Sequence, residues 1–163
     1  MPCSACVQDP ATHSFEELGQ QRQGHIFFTS YKSIKDYTDS AAISAHITDR
    51  LDHISGGPWI WVIDCKFVQA KHMVQIGVAL KLLDILGQKY GSNLMGIYLL
   101  NSGAVIQTAI TTLKPFITKE FSEKVYKLQG TALELLIVLT KQYGWTQAEA
   151  DPLIRRVMKD YSV

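Results

Sequence analysis

The sequence has almost no net charge, few cysteines and no apolar run of membrane length, and each shortage excludes a class of function. Lys and Arg number 16 against 15 Asp and Glu, a formal charge of +1 at pH 7. A nucleic-acid binder needs a basic patch or stripe, and this chain has no such footprint. Nor does it carry a lysine-rich block that would hold an anionic membrane by charge alone. The first stretch, MPCSACVQDPATHSFEELGQQRQG, is polar and lacks the apolar core of an export signal. The most apolar segments, MVQIGVALKLLDIL and LELLIVL, are broken by charge or too short to cross a bilayer. These absences point to the cytoplasm, whose reducing conditions suit a chain with three cysteines.

The motifs of common chemistries are missing as well. Cys3 and Cys6 form a single C-x-x-C; zinc would need two further ligands, and no second C-x-x-C or H-x-x-x-H follows. Thiol redox work places such a pair between a strand and a helix, and nothing precedes this one. The two cysteines therefore read as incidental residues of a floppy tail, and no metal is expected. Cys65 reads as a small hydrophobe at a strand end. Neither G-x-G-x-x-G nor the phosphate loop occurs, and SGGP (55–58) leads into a strand, so no nucleotide cofactor is expected. Ser102 sits in L-N-S-G-A, not the G-x-S-x-G of a strained nucleophile elbow. His46 and His53 share a helix with Asp49 and Arg50 and read as a solvated face. Capping accounts for Asn101 and Ser102, and a turn or cap for Asp64. No catalytic residue is assigned, and the chain does not read as an enzyme.

What is present is an alternation of strands and helices. A chain of 163 residues makes one domain that buries about 70% of its unfolded surface. Residues 1–23 read as a polar tail and 24–163 as a single domain. GHIFFTSYK (24–32) is β-branched and aromatic. Ala42, Ile43, Ile47, Leu51 and Ile54 recur at helical steps from about Asp39 to Ile54. WIWVIDC (59–65) and MGIYLLN (95–101) are the near-continuous apolar runs of strands covered on both faces. A long helix is expected between them, from about Ala70 to Tyr90. Another follows in SGAVIQTAITTLK, then a strand in KVYKLQ (124–129) and a helix in TALELLIVLTKQYG. Thr146 and Glu149 are spaced to cap a last helix, although Pro152 argues for a start at Asp151. The expected fold is α/β: a mostly parallel, mixed β-sheet of about four to five strands with helices on both faces.

One helix carries more apolar surface than its length requires. Val105, Ile106, Ala109, Ile110, Leu113, Phe116 and Ile117 form a stripe that runs on to Phe121, and Pro115 must kink or end the helix. Periodicity alone fits plain core packing. Apolar stripes are usually core, so on periodicity alone that reading leads, with a roof over a hollow as the alternative.

In order and spacing, residues 59–130 resemble the CRAL-TRIO lipid-binding domain. A buried strand ends in Asp64, a long helix runs to Tyr90, and a second strand ends in Asn101. The next helix closes on Lys114-Pro115-Phe116, and Lys124 opens a strand eight residues after Phe116. The resemblance implies that residues 104–121 are a mobile gate over an apolar pocket for a lipid or other small hydrophobic ligand, meeting a membrane surface when open. In members that hold phosphatidylinositol, a glutamate, a threonine and a lysine serve the headgroup. The matching positions here are Ser92, Phe121 and Lys124, so only the lysine remains as a headgroup contact. KPFITKEFSEKVYKLQGTALELL resembles a divergent branch that includes the BCH domains. For that branch the implied alternative is a non-enzymatic protein-interaction module with a filled pocket, engaging a small GTPase, a GTPase regulator or a second copy. Its contacts would come from exposed surfaces such as Arg155, Arg156 and Lys159.

Overall fold

A computed structural model describes residues 3–73 and 76–162. Five strands make one sheet in chain order: β1 (Glu16–Gln21), β2 (Gly24–Ser30), β3 (Trp59–Asp64), β4 (Leu94–Leu100) and β5 (Val125–Leu128). β1 pairs antiparallel with β2, and all later neighbours are parallel.

The helices are α1 (Ser4–Gln8), α2 (Ser40–Asp52), α3 (Ala70–Met73), α4 (Ile76–Ile85), α5 (Ala104–Leu113), α6 (Lys119–Ser122), α7 (Ala132–Lys141) and α8 (Gln147–Tyr161). A sheet that grows one strand at a time in a single direction, through right-handed crossovers, must put every crossover helix on the same face. That face is formed by α2, α4 and α5, whose Leu51, Leu82 and Ile106 pack with Phe27, Trp61 and Leu99. α7 and α8 follow the last strand and return across the other face, where Leu135, Leu139 and Leu153 meet Phe28, Val62 and Leu100. Strand alternation supplies both cores, with Trp61 to one side and Ile60 and Val62 to the other. The buried tryptophans satisfy their donors: the Trp59 indole donates to the Tyr90 carbonyl (3.2 Å) and that of Trp61 to Thr29 Oγ1 (2.9 Å).

Two expectations need correction and two are refined. Residues 1–23 are not a plain tail, because they supply α1 and β1, and Phe15 stacks on Phe27 at 4.6 Å between ring centroids. Main-chain bonds from Lys35 to Ala11 (3.2 Å) and from Asp36 to Thr12 (2.9 Å) hold this arm beside the loop after β2. The expected Ala70–Tyr90 helix is helical at every described position, as α3 and α4, and finishes in a π-helical turn at Leu86–Tyr90; residues 74 and 75 of its span lie outside the described residues. The last helix starts at Gln147, with the Thr146–Glu149 capping box formed and Pro152 inside the helix. The two N-terminal donors bonded by that box offset the proline's missing one. Lastly, His46 is buried at 4% exposure, so α2 does not present it to water.

Candidate functional site

α5 lies over β3 and β4 with two unlike faces. Thr108, Thr111 and Thr112 on its outer side return their hydroxyls to the carbonyls four residues back (2.9–3.0 Å). Its inner side is apolar. Pro115 converts the helix end into a short 3-10 turn, Lys114–Phe116, and Thr118 then caps α6 by accepting the Phe121 N–H at 3.1 Å. The chain thus leaves the sheet surface and returns to it within a few residues.

Beneath this roof is a cavity of about 440 Å³. Of the stripe residues, Ile110, Leu113, Ile117 and Phe121 line it, facing Trp61 and Leu82. A smaller cavity of about 120 Å³ shares Trp61, Ala79, Leu82 and Leu113 with it, is also lined by Ala109, and extends toward His13 and His46. Ligand sites run to several hundred Å³ and are mostly apolar, so the larger space falls within the working range. Lys127, held by Gln107 Oε1 at 2.9 Å, is the single cation among its described lining residues.

The remaining stripe residues lie elsewhere. Ile106 is core, and Val105 is half-buried outside the cavity wall. Phe116 stands on the outer surface of the turn after α5 at 61% exposure. Lys124 is turned away from the cavity: its Nζ donates to the Gly91 carbonyl (3.0 Å) and pairs with Glu120 at 3.8 Å. Nothing in the local sequence distinguishes Lys127 from Lys124; the pleat does, because it sends alternate residues of β5 to opposite faces.

The strand ends form a structural clamp. Asp64 is fully buried and accepts from the Lys66 N–H and the Tyr161 hydroxyl, both at 3.1 Å. Asn101 is left-handed (φ 52°), donates to Tyr161 Oη (2.6 Å) and exchanges two bonds with the Gly130 main chain. Neither Asn101 nor Ser102 caps α5, contrary to expectation; that position belongs to Gly103. Among the described residues buried Ser102 Oγ has no hydrogen-bond partner, so none of them stands as a base against it.

Burial raises the Asp64 carboxyl above its ordinary 3.8, against the bonds from Lys66 and Tyr161. The folded chain then holds this proton more tightly than the unfolded chain, so the carboxyl's contribution to stability falls as pH rises from the unfolded value through the folded one. Asp64→Asn is expected to gain on the natural protein in urea midpoint between about pH 4 and pH 7. A gap that does not change with pH would show the carboxyl to be unperturbed.

A second grouping was not legible in the sequence. Cys3, Cys6, His13 and His46 place one sulfur or ring nitrogen each within 4.8 Å of one another. The C-x-x-C was visible, but His46 reaches it only through the packing of α2 against the arm.

The sheet, the helix lying over it and the apolar cavity between them define an α/β module with an open apolar space on one face. The sequence matches the divergent CRAL/TRIO domain over residues 24–139, and the chain belongs to that family. Its members are generally lipid-binding transfer proteins rather than enzymes. Among solved structures the chain is similar to the crystal structure of Sfh5, with a TM-score of 0.60 and 12% identity over 77% of this chain and 51% of that one. The chain therefore spans about half the length of Sfh5, and at this identity the likeness speaks for the fold alone. No curated protein matches the sequence.

Proposed function

We propose that this protein holds a lipid or another small hydrophobic ligand in the cavity roofed by α5 and the turn that follows it. The observation that carries the reading is the 440 Å³ apolar space bounded by Ile110, Leu113, Ile117 and Phe121. Each methylene buried there contributes about 0.8 kcal/mol, so even part of an acyl chain suffices for binding. Lys127 rather than Lys124 is positioned to meet a polar or anionic end. Native mass spectrometry of protein purified from cells is expected to show a non-covalent lipid adduct. A homogeneous ligand-free mass, with no uptake of fluorescent lipid from vesicles, would overturn the proposal.

The BCH-type alternative calls for a packed interior, and the cavity weighs against it. Its expected contact surface is also partly committed: Arg155 pairs with Asp151 at 2.6 Å, and Arg156 with Asp160 at 2.8 Å and with Glu16.

Membrane contact would fall to the gate's outer tip. Among the described residues no helix is long and apolar enough to cross a bilayer, so contact is by surface residues. Phe116 is large, apolar and exposed beside Pro115. Burying such a side chain is worth about 1.5–3 kcal/mol, so Phe116→Asp should weaken vesicle binding by about tenfold or more. Co-sedimentation with phosphatidylcholine vesicles measures this, and unchanged pelleting would remove Phe116 from the contact.

A further inference from the structure

The Cys/His grouping has the geometry of a metal centre. With Zn–S near 2.3 Å and Zn–N near 2.0–2.1 Å, tetrahedral coordination sets sulfur–nitrogen edges of about 3.6 Å. The observed edges are 3.4 Å from Cys3 Sγ to His13 Nδ1, 3.5 Å from Cys6 Sγ to the same nitrogen, and 3.6 Å from Cys6 Sγ to His46 Nδ1. Three edges from three different residue pairs therefore fall close to one ion's requirement. Direct thiol–imidazole hydrogen bonding is a poor reason to collect four such groups, because S–H is a weak donor.

The surroundings are built in the same sense. His13 directs its other nitrogen, Nε2, at Asp36 Oδ2 (2.8 Å), which fixes the ring with Nδ1 toward the sulfurs. Asp36 is fixed in turn, its Oδ1 accepting main-chain N–H groups from Thr38 (3.1 Å) and Asp39 (3.0 Å). A carboxylate behind a histidine is the usual outer shell of a metal-ligating imidazole. Both rings are buried, at 7% for His13 and 4% for His46, while the cysteines are half-buried. Two thiolates and two neutral imidazoles balance a divalent cation, and this soft, tetrahedral donor set selects zinc.

We propose that Cys3, Cys6, His13 and His46 bind a structural Zn²⁺ ion that fastens the N-terminal arm to α2. Four protein ligands leave no open position, so the site is not catalytic. The ion would act at the start of the arm, where the five-residue α1 buries no side chain of its own. The arm carries Phe15 onto the sheet, and His13 and His46 line the smaller cavity that adjoins the proposed ligand space. The ion would therefore hold one end of that smaller cavity in place. The proposal does not depend on a lipid being bound.

The test uses the full chain, tag-free, purified under reducing conditions without chelator. Elemental analysis is expected to give on the order of one zinc per chain, falling at least about fivefold in Cys6→Ser and in His46→Asn. Cys65→Ser, altering a buried thiol elsewhere, should retain the metal. Because the variants could misfold, the natural protein is also stripped and titrated with Co²⁺. Intense visible absorption of tetrahedral thiolate coordination, saturating at about one equivalent, is expected. Absence of zinc together with absence of this spectrum would overturn the proposal. So would a Cys3–Cys6 disulfide that persists in the protein as purified under reducing conditions, seen as a mass lower by two hydrogens.

Discussion

Ile110→Trp and Ala79→Phe are each expected to abolish measurable lipid uptake while leaving the fold intact. Ile110 lines the larger cavity from above, and Ala79 lines both cavities from α4. A larger side chain at either position occupies space that the proposed acyl chain needs. Displacing even three methylenes would cost about 2.4 kcal/mol, or roughly fiftyfold in affinity. Because the added atoms enter open space, overpacking strain should be small, and thermal unfolding should shift little or upward. Thr112→Trp is the control, since Thr112 is on the exposed side of α5. Transfer of fluorescent lipid from vesicles measures all three. If both cavity-filling variants take up lipid as the natural protein does, the ligand is held elsewhere.

Gly24→Ala should have the largest effect on stability. Gly24 opens β2 at φ 147°, and a Cβ there would lie 2.2 Å from the Pro58 carbonyl oxygen. That oxygen is main chain and is already engaged, accepting the His25 N–H at 3.0 Å. Relief requires β2 and β3 to part at the start of their ladder. Backbone strain of about 1–2 kcal/mol and overpacking of about 1–3 kcal/mol act together, so a loss of about 3 kcal/mol is expected. Such a loss is a large share of the roughly 5–15 kcal/mol that stabilises a typical domain. Gly19→Ala separates the two causes. Gly19 has a similar φ of 136°, but a methyl group added there would meet nothing within 4 Å, so it should lose only the strain. Equal urea midpoints for the two variants would show that the Pro58 contact is harmless.

The parallel part of the sheet could be read from the sequence because its signal is local. WIWVIDC and MGIYLLN declare strands covered on both faces, and the helices between them carry their own periodicity. β1 escaped notice for a physical reason. Its residues, EELGQQ, are polar apart from Leu18 and Gly19, half of them are exposed, and only Gln21 is buried. What makes it a strand is the hairpin with β2 and the pairing of Glu16 with Arg156 on α8. Neither can be seen in a window of neighbouring residues. The apolar stripe was legible, and four of its residues do line a cavity, but periodicity could not show whether the space beneath was filled. The metal grouping lay furthest from view. His46 stands forty positions after Cys6, and only the docking of the arm brings them together.

The agreement between strand order and chain order has a consequence for how the molecule is made. A chain leaving the ribosome can add each strand to the edge of the one before, and none must be inserted between partners already joined. The hydrophobic chamber gains its last wall only when β5 arrives. The first edge is locked later still, when α8 emerges and Arg156 reaches back to Glu16. Strand order therefore permits the chamber's walls to assemble before the founding strand is clamped.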